Sequence, residues 1–206
     1  MVSVKINQMD PLKQFIQTSQ KEFHSFVCDL DEEPLKKAAK LIIDAKNKGN
    51  RLHITGIGKP SYVAGYAASL IASTGTPAYF LHGTEAVHGS CGQLTEGDIV
   101  ICISNSGETE ELKATAMAIQ NNGCKIISVT GNPDSWLGQY GEVCLYAGVK
   151  SEGGPLNRAP RASILVEIYV LQCLSVLLQD AINLSPTEYR KRHPGGALGK
   201  RRDDEI

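Results

Sequence analysis

The apolar run Ile99-Val100-Ile101-Cys102-Ile103 stops abruptly at Ser104-Asn105-Ser106-Gly107, and Glu108-Thr109-Glu110-Glu111 follows. Three hydroxyls, those of Ser104, Ser106 and Thr109, therefore flank one glycine where a helix is expected to start. The first turn of a helix offers unpaired N–H groups and the positive end of its dipole. With hydroxyl donors added, and with Gly107 letting the backbone approach a ligand, the stretch reads as a phosphate cradle made without cations. Ser106 alone would be enough to cap a helix; three hydroxyls argue for an anion. A dianion would be repelled by Glu108, Glu110 and Glu111. Most of these acids must therefore point away, and one that does not is a candidate for chemistry.

A second polar loop, "ITGIGKPS" at 54–61, repeats the arrangement. Gly56 and Gly58 keep it tight, and Lys59 projects a mobile charge over the sheet edge. It is not a Walker A loop, because no glycine stands five residues before Gly58-Lys59. It is not a dinucleotide fingerprint either, because Ser61 occupies the position of the third glycine. Two such loops at neighbouring strand ends indicate a small phosphorylated ligand rather than a dinucleotide. His88 and Cys91, with His82 nearby, have the chemistry of zinc ligands but lack a second close ligand pair. No metal and no cofactor are expected.

The elements that must position these loops follow from periodicity. Residues 10 to 48 read as two helices. Leu12, Phe15 and Ile16, then Phe23, Phe26 and Val27, recur at three- and four-residue spacing, and "DEEPLKKAAKLIIDAKNKGN" carries start and stop chemistry at its ends. From residue 51 short apolar strands alternate with helices: "RLHITG", "PAYFLH", "GDIVICIS", "CKIISVTG" and "EVCLYA" are the strands. Strands apolar throughout and separated by helices predict a parallel sheet covered on both faces. "ASILVEIYVLQCLSVLLQDAIN" predicts a long, deeply packed helix. The expected fold is a doubly wound α/β/α sandwich with a five-stranded parallel sheet. One domain spans 1–206: N-terminal helices over 1–48, an α/β core over 49–184 and a C-terminal tail over 185–206. In such a sheet ligands bind beyond the carboxyl ends of the strands.

Composition excludes several classes. With 206 residues, a net charge of −1 and 6% aromatics, the chain has no electrostatic footprint for nucleic acid or an anionic membrane. Its six cysteines are scattered without a CxxC pair, four of them in apolar runs. With no signal peptide and no 18-residue apolar stretch read from the sequence, a cytoplasmic location is expected. The segment 162 to 182 has more apolar surface than one small sheet covers, so self-association is expected.

"GIGKPS", "ASTGTPAYFLHGTEAVHG", "GDIVICISNSGETEEL", "SEGGPLNRAP" and "HPGGALGKR" together resemble the sugar isomerase (SIS) domain of arabinose 5-phosphate isomerases. The likeness runs from about residue 35 to residue 201. It implies interconversion of ribulose 5-phosphate and arabinose 5-phosphate through an enediolate. That reaction is the first step toward the eight-carbon acid Kdo of lipopolysaccharide and capsule. The resemblance also implies a homotetramer. The family's catalytic positions match Lys59, Glu111, Glu152 and His193. Its phosphate-binding positions match Ser104, Ser106 and Thr109, joined by Asn105 and Gly58 in the same loops, and Ser61 and His88 line the same pocket.

Among the matched residues, Glu152 and His193 are expected to move the proton, with the Glu152 carboxyl tuned upward by burial. Glu111 is the reserve base and Lys59 stabilises the enediolate. The sequence departs from the family at Pro60, which stiffens the loop, and at Arg161, which replaces a small hydroxyl near the site. It also ends where relatives commonly continue into a pair of CBS domains. The alternatives are an isomerase of a hexulose or heptulose phosphate and a non-catalytic phosphosugar sensor.

Overall fold

The computed structural model describes residues 10–202. In chain order the elements are α1 (Pro11–Cys28), α2 (Glu32–Asn47), β1 (Leu52–Gly56), α3 (Lys59–Ser73), β2 (Ala78–Phe80), α4 (Gly83–Ala86) and a 3₁₀ turn at Ser90–Gln93. They continue with β3 (Ile99–Ile103), α5 (Glu110–Asn121), β4 (Lys125–Thr130), α6 (Trp136–Tyr140), β5 (Val143–Tyr146), α7 (Ala162–Ala181), α8 (Pro186–Arg192) and a second 3₁₀ turn at Ala197–Gly199. The five strands form one sheet in the order β2-β1-β3-β4-β5. Every pairing is parallel, as expected of strands that are apolar on both faces.

Period-2 alternation divides the strands between two cores. Ile54, Ile99, Ile101, Ile103, Ile127 and Val129 pack with residues of α2, α3 and α7 on one face. Val100, Cys102 and Ile126 pack with residues of α4, α5 and α6 on the other. The chain leaves β1 through α3 to β2 on the first face, and leaves β3 through α5 to β4 on the second. Strand order thus reverses between β1 and β3, and their carboxyl ends diverge into a crevice suited to a ligand. Burial pushes the Cys102 thiol up to about 12, so this cysteine is a small hydrophobe in the sheet.

Three expectations need correction. Only Ala78–Phe80 of "PAYFLH" is strand, because the Leu81 N–H makes the last bond to Ile54 and His82 turns away to cap α4. The expected tail over 185–206 begins as a short helix, α8, which Ser185 caps and which ends at His193-Pro194. And α7 is, by length and composition alone, long and apolar enough to cross a membrane. No apolar stretch of 18 residues was expected, yet this helix tolerates Glu167 within such a window. In the fold, Val166, Val170, Leu171, Leu174 and Leu178 of α7 are buried against the sheet and its neighbouring helices.

Candidate functional site

Gly56 of β1 and Ile103 of β3 are register partners, so the loops that follow them lie side by side at one end of the sheet. In the second loop, Ser104 is buried and its Oγ accepts the Gly107 N–H at 3.2 Å. The same oxygen lies 3.1 Å from the Thr109 hydroxyl. Thr109 is the N-cap of α5, but its hydroxyl is turned to Ser104 and caps nothing. The N–H groups of Thr109, Glu110 and Glu111 consequently find no acceptor among the described residues. Three free backbone donors at the positive end of a helix, with two hydroxyls beside them, form a cradle for an anion.

Ser106 does not cap α5, since its hydroxyl accepts from the Glu108 N–H, one step ahead of the helix. Gly107 has a role other than the one expected. At φ +70° it sits where a Cβ would collide with the Ser135 hydroxyl, so the glycine lets the β3 and β4 loops meet. Asn105 joins these loops too, its carbonyl accepting from Thr130 Oγ1 at 3.2 Å and from the Gly131 N–H at 3.0 Å.

The acids sort as charge requires. Glu108 accepts the Trp136 N–H and pairs with Lys113 at 2.7 Å, while Glu110 pairs with the same lysine at 3.0 Å. The Lys113 ammonium holds the Glu108 carboxyl below its usual range, assisted by the Trp136 N–H. Glu111, the second residue of α5 and exposed, has no side-chain partner among the described residues. Of the three acids it alone lacks one, and it lies within the first turn of α5.

In the first loop, Gly58 takes φ +66° as the N-cap of α3, with open space where a Cβ would stand. The Ser61 hydroxyl donates to the Gly58 carbonyl at 2.6 Å and so closes its own loop. Lys59 begins α3, is exposed, and makes no ion pair among the described residues. It lines a cleft of about 300 Å³ with Tyr62, Val63, Tyr66, Pro160, Ile164 and Ile168. That cleft brings the lysine next to the start of α7.

Glu152 is found there. Its Oε2 accepts the N–H groups of Arg161 at 2.6 Å and Ser163 at 3.2 Å, capping α7, and Oε1 has no protein partner among the described residues. Asn157, at φ +48°, holds the loop in turn. Its Oδ1 accepts from Ser151 Oγ, the Glu152 N–H and the Gly153 N–H at 2.7–3.1 Å. Sequence reasoning missed Asn157, although an asparagine beyond a glycine pair is a fair signal for a left-handed turn. It also missed that the carboxyl raised by burial is that of Glu167, pushed up to about 8. An acid inside an apolar helix, beyond its first turn, was the available signal.

His88 is exposed just past the end of α4. His82 Nδ1 accepts the Glu85 N–H as the α4 cap, and Cys91 is buried, so these three residues do not converge as ligands. His193 stacks on Tyr189 with ring centroids 4.1 Å apart and bonds the Tyr189 carbonyl through Nδ1. Its neighbour Arg192 lies close enough to Lys46 to push the lysine down, after burial of the ammonium itself. Lys46 in turn donates to Gly75. Lys46 and Gly75 belong to the amino end of the sheet, where β1 and β2 begin. Five-residue strands span about 16 Å, so His193 stands at the opposite end from Ser104 of its own chain.

A model of the SIS domain family matches residues 45–176. Arabinose 5-phosphate isomerase KdsD of Pseudomonas aeruginosa is 40% identical over 165 residues, which are 80% of this chain and 50% of the relative. A probable arabinose 5-phosphate isomerase of Haemophilus influenzae is 44% identical over 151 residues, 73% of this chain and 45% of the relative. The chain spans about half the length of the curated relatives it matches. Among solved structures, c3406 of Escherichia coli CFT073 in complex with arabinose 5-phosphate superposes with a TM-score of 0.79 at 33% identity, covering 89% of this chain and 95% of that one.

Proposed function

Because this chain belongs to the SIS domain family, we propose that it interconverts ribulose 5-phosphate and arabinose 5-phosphate, a reading supported by relatives named arabinose 5-phosphate isomerase. The observation that carries the reading is the anion cradle: the free N–H groups of Thr109, Glu110 and Glu111 with the hydroxyls of Ser104, Ser106 and Thr109. It opens at the strand-order reversal, beside the loop after β1 whose Lys59 makes no ion pair among the described residues. A phosphate seated there puts the sugar carbons toward Lys59 and the Glu152 loop.

The reaction moves a proton between C1 and C2. A base removes it from C1 of the ketose, the enediolate takes a proton on O2, and the proton returns at C2 as O1 gives up its own. Glu152 is the base, with Oε1 free for the substrate while Oε2 is fixed by α7. His193 serves the oxygens, Lys59 stabilises the enediolate, and Glu111 is the reserve base. Gly58, Ser61, His88 and Asn105 complete the walls, and Arg161, packed over Gly154, sets which sugar fits.

The position of His193 at the far end of its own sheet supports its acting in a neighbouring subunit. The exposed apolar side chains of Tyr62 (80%), Leu156 (82%) and Leu198 (51%) supply surface for such an assembly, here a homotetramer. The product places the enzyme at the first step toward Kdo, in the cytoplasm. The test is incubation with ribulose 5-phosphate in the presence of EDTA, followed by identification of the sugar formed. Arabinose 5-phosphate is expected. A hexose or heptose phosphate formed only from the longer ketoses would replace the substrate, and binding without turnover would make the protein a sensor.

A further inference from the structure

Glu167 is the most isolated acid in the described fold. It is 0% exposed, and neither carboxyl oxygen has a hydrogen-bond partner. Four residues earlier, the Ser163 hydroxyl is likewise buried and unpartnered. Positions i and i+4 share a helix face, and four residues of α-helix rise about 6 Å. The orphaned pair therefore lies directly beneath the end of α7 whose N–H groups are taken by Glu152. An ionised carboxylate in this setting would face a large desolvation penalty with nothing to offset it. Burial, and after it the nearby Glu152 charge, push the Glu167 carboxyl up to about 8, so that it carries a proton at neutral pH.

Few charged groups face this stretch of α7. The preceding loop presents Glu152. From α3, Lys59 shares the cleft of Ile164 and Ile168. From α1, Glu22 is already engaged by the Lys150 N–H at 2.8 Å. Helix α2 and the sheet present apolar side chains, among them Ala38, Ile42, Ile101 and Val129.

We infer that Glu167 is a positioning residue for Glu152: a neutral carboxyl beneath the capped end of α7, whose ionisation sets a second negative charge against the Glu152 carboxylate and loosens its hold on the helix. The inference rests on the reading of Glu152 as the base. While Glu167 holds its proton, the Glu152 carboxylate meets no second negative charge from within α7 and stays fixed on the helix end with one oxygen toward the substrate. When the proton leaves, like charge drives the two acids apart, and the base loses its geometry.

The experiment measures kcat/KM between pH 6 and 9.5 for the wild type, Glu167→Gln and Glu167→Met, with thermal unfolding over the same range for these and for Glu152→Gln and the Glu152→Gln/Glu167→Gln double variant. In the wild type, kcat/KM should fall about tenfold from pH 7 to 9, as one ionisation near 8 dictates. Both Glu167 variants should fall less than about threefold over that interval relative to their own value at pH 7. Alkaline loss of Tm should shrink in either single Gln variant, and the two effects should not add.

Wild-type alkaline limbs in both Glu167 variants would overturn the inference, as would additive Tm shifts. Full turnover by Glu152→Gln would remove Glu152 from the chemistry and the positioning role with it. Loss of turnover there, with an unmoved alkaline limb in Glu167→Gln, would leave the reading of Glu152 standing and sink only the role of Glu167.

Discussion

Polar groups collect at both ends of the sheet, and they are used in opposite ways. At the amino end Asp98 is fully buried and saturated. It accepts the Arg51 N–H at 2.8 Å and the Thr95 N–H at 2.9 Å, with His53 Nε2 at 3.2 Å and the Arg51 guanidinium at 3.5 Å. At the carboxyl end groups are left over: the N–H donors of Thr109, Glu110 and Glu111 at the start of α5, the Lys59 ammonium, and one acceptor oxygen of Glu152. Donors that converge on Asp98 tie strands and loops together, whereas the groups left without partners at the carboxyl end are open to a ligand. The two acids Asp98 and Glu167 make the same contrast. Burial alone would raise Asp98, yet the N–H groups of Thr95 and Arg51 hold it below its ordinary value, while Glu167 has no such donors and goes up.

The sharpest way to break the comparison is at the carboxyl end. Glu152→Gln and His193→Ala should each cost about 10²–10⁴-fold in kcat, the usual worth of a general acid or base. If His193 serves the neighbouring subunit, mixing the two inactive variants under subunit exchange should restore part of the activity. Mixed oligomers seen by mass spectrometry but still inactive would place His193 outside the chemistry of any neighbouring site.

At the amino end, loss of Asp98 should be felt in stability. Asp98→Ala strands the N–H groups of Arg51 and Thr95 and should cost about 3–5 kcal/mol in denaturant unfolding, the cost typical of a broken buried pair. The pH signs of the two ends also differ. Asp98 has a depressed folded pKa, so its contribution is present above its ordinary 3.8 and is lost as pH falls through the lower folded value. His53, lowered by burial, adds a loss that begins as pH falls below its ordinary 6.5. Glu167, raised, acts the other way: its contribution is full below its ordinary 4.5 and is lost as pH rises toward about 8. A stability profile of Asp98→Ala with an unchanged acid limb would contradict this assignment.

The smallest effects are expected in the cradle. Ser104→Ala or Thr109→Ala removes one of several donors and should raise KM for the phosphosugar by about 1.5–3 kcal/mol equivalents, leaving the fold intact. Wild-type KM in both variants would show that the helix N–H groups suffice, or that the anion binds elsewhere.

Much of this was legible in the residues. Continuous apolar strands separated by helices imposed a parallel sheet, because only a sheet covered on both faces can bury such runs. The hydroxyl-glycine-acid order at 104–111 marked a strand end opening into a helix, because hydroxyls and a glycine at that junction suit a chain reversal near an anion. What the one-dimensional pattern could not give was partnership. Which of Glu108, Glu110 and Glu111 is free depended on where Lys113 and the Trp136 N–H came to lie. Gly107 was needed for Ser135, a contact across 28 residues that spacing does not reveal. Glu152 became a helix cap, and Glu167 the acid raised by burial, because packing α7 on the sheet decided which carboxyl met donors and which met only hydrocarbon. Residue types set what each group can do, but charge and burial depend on the neighbours that folding supplies.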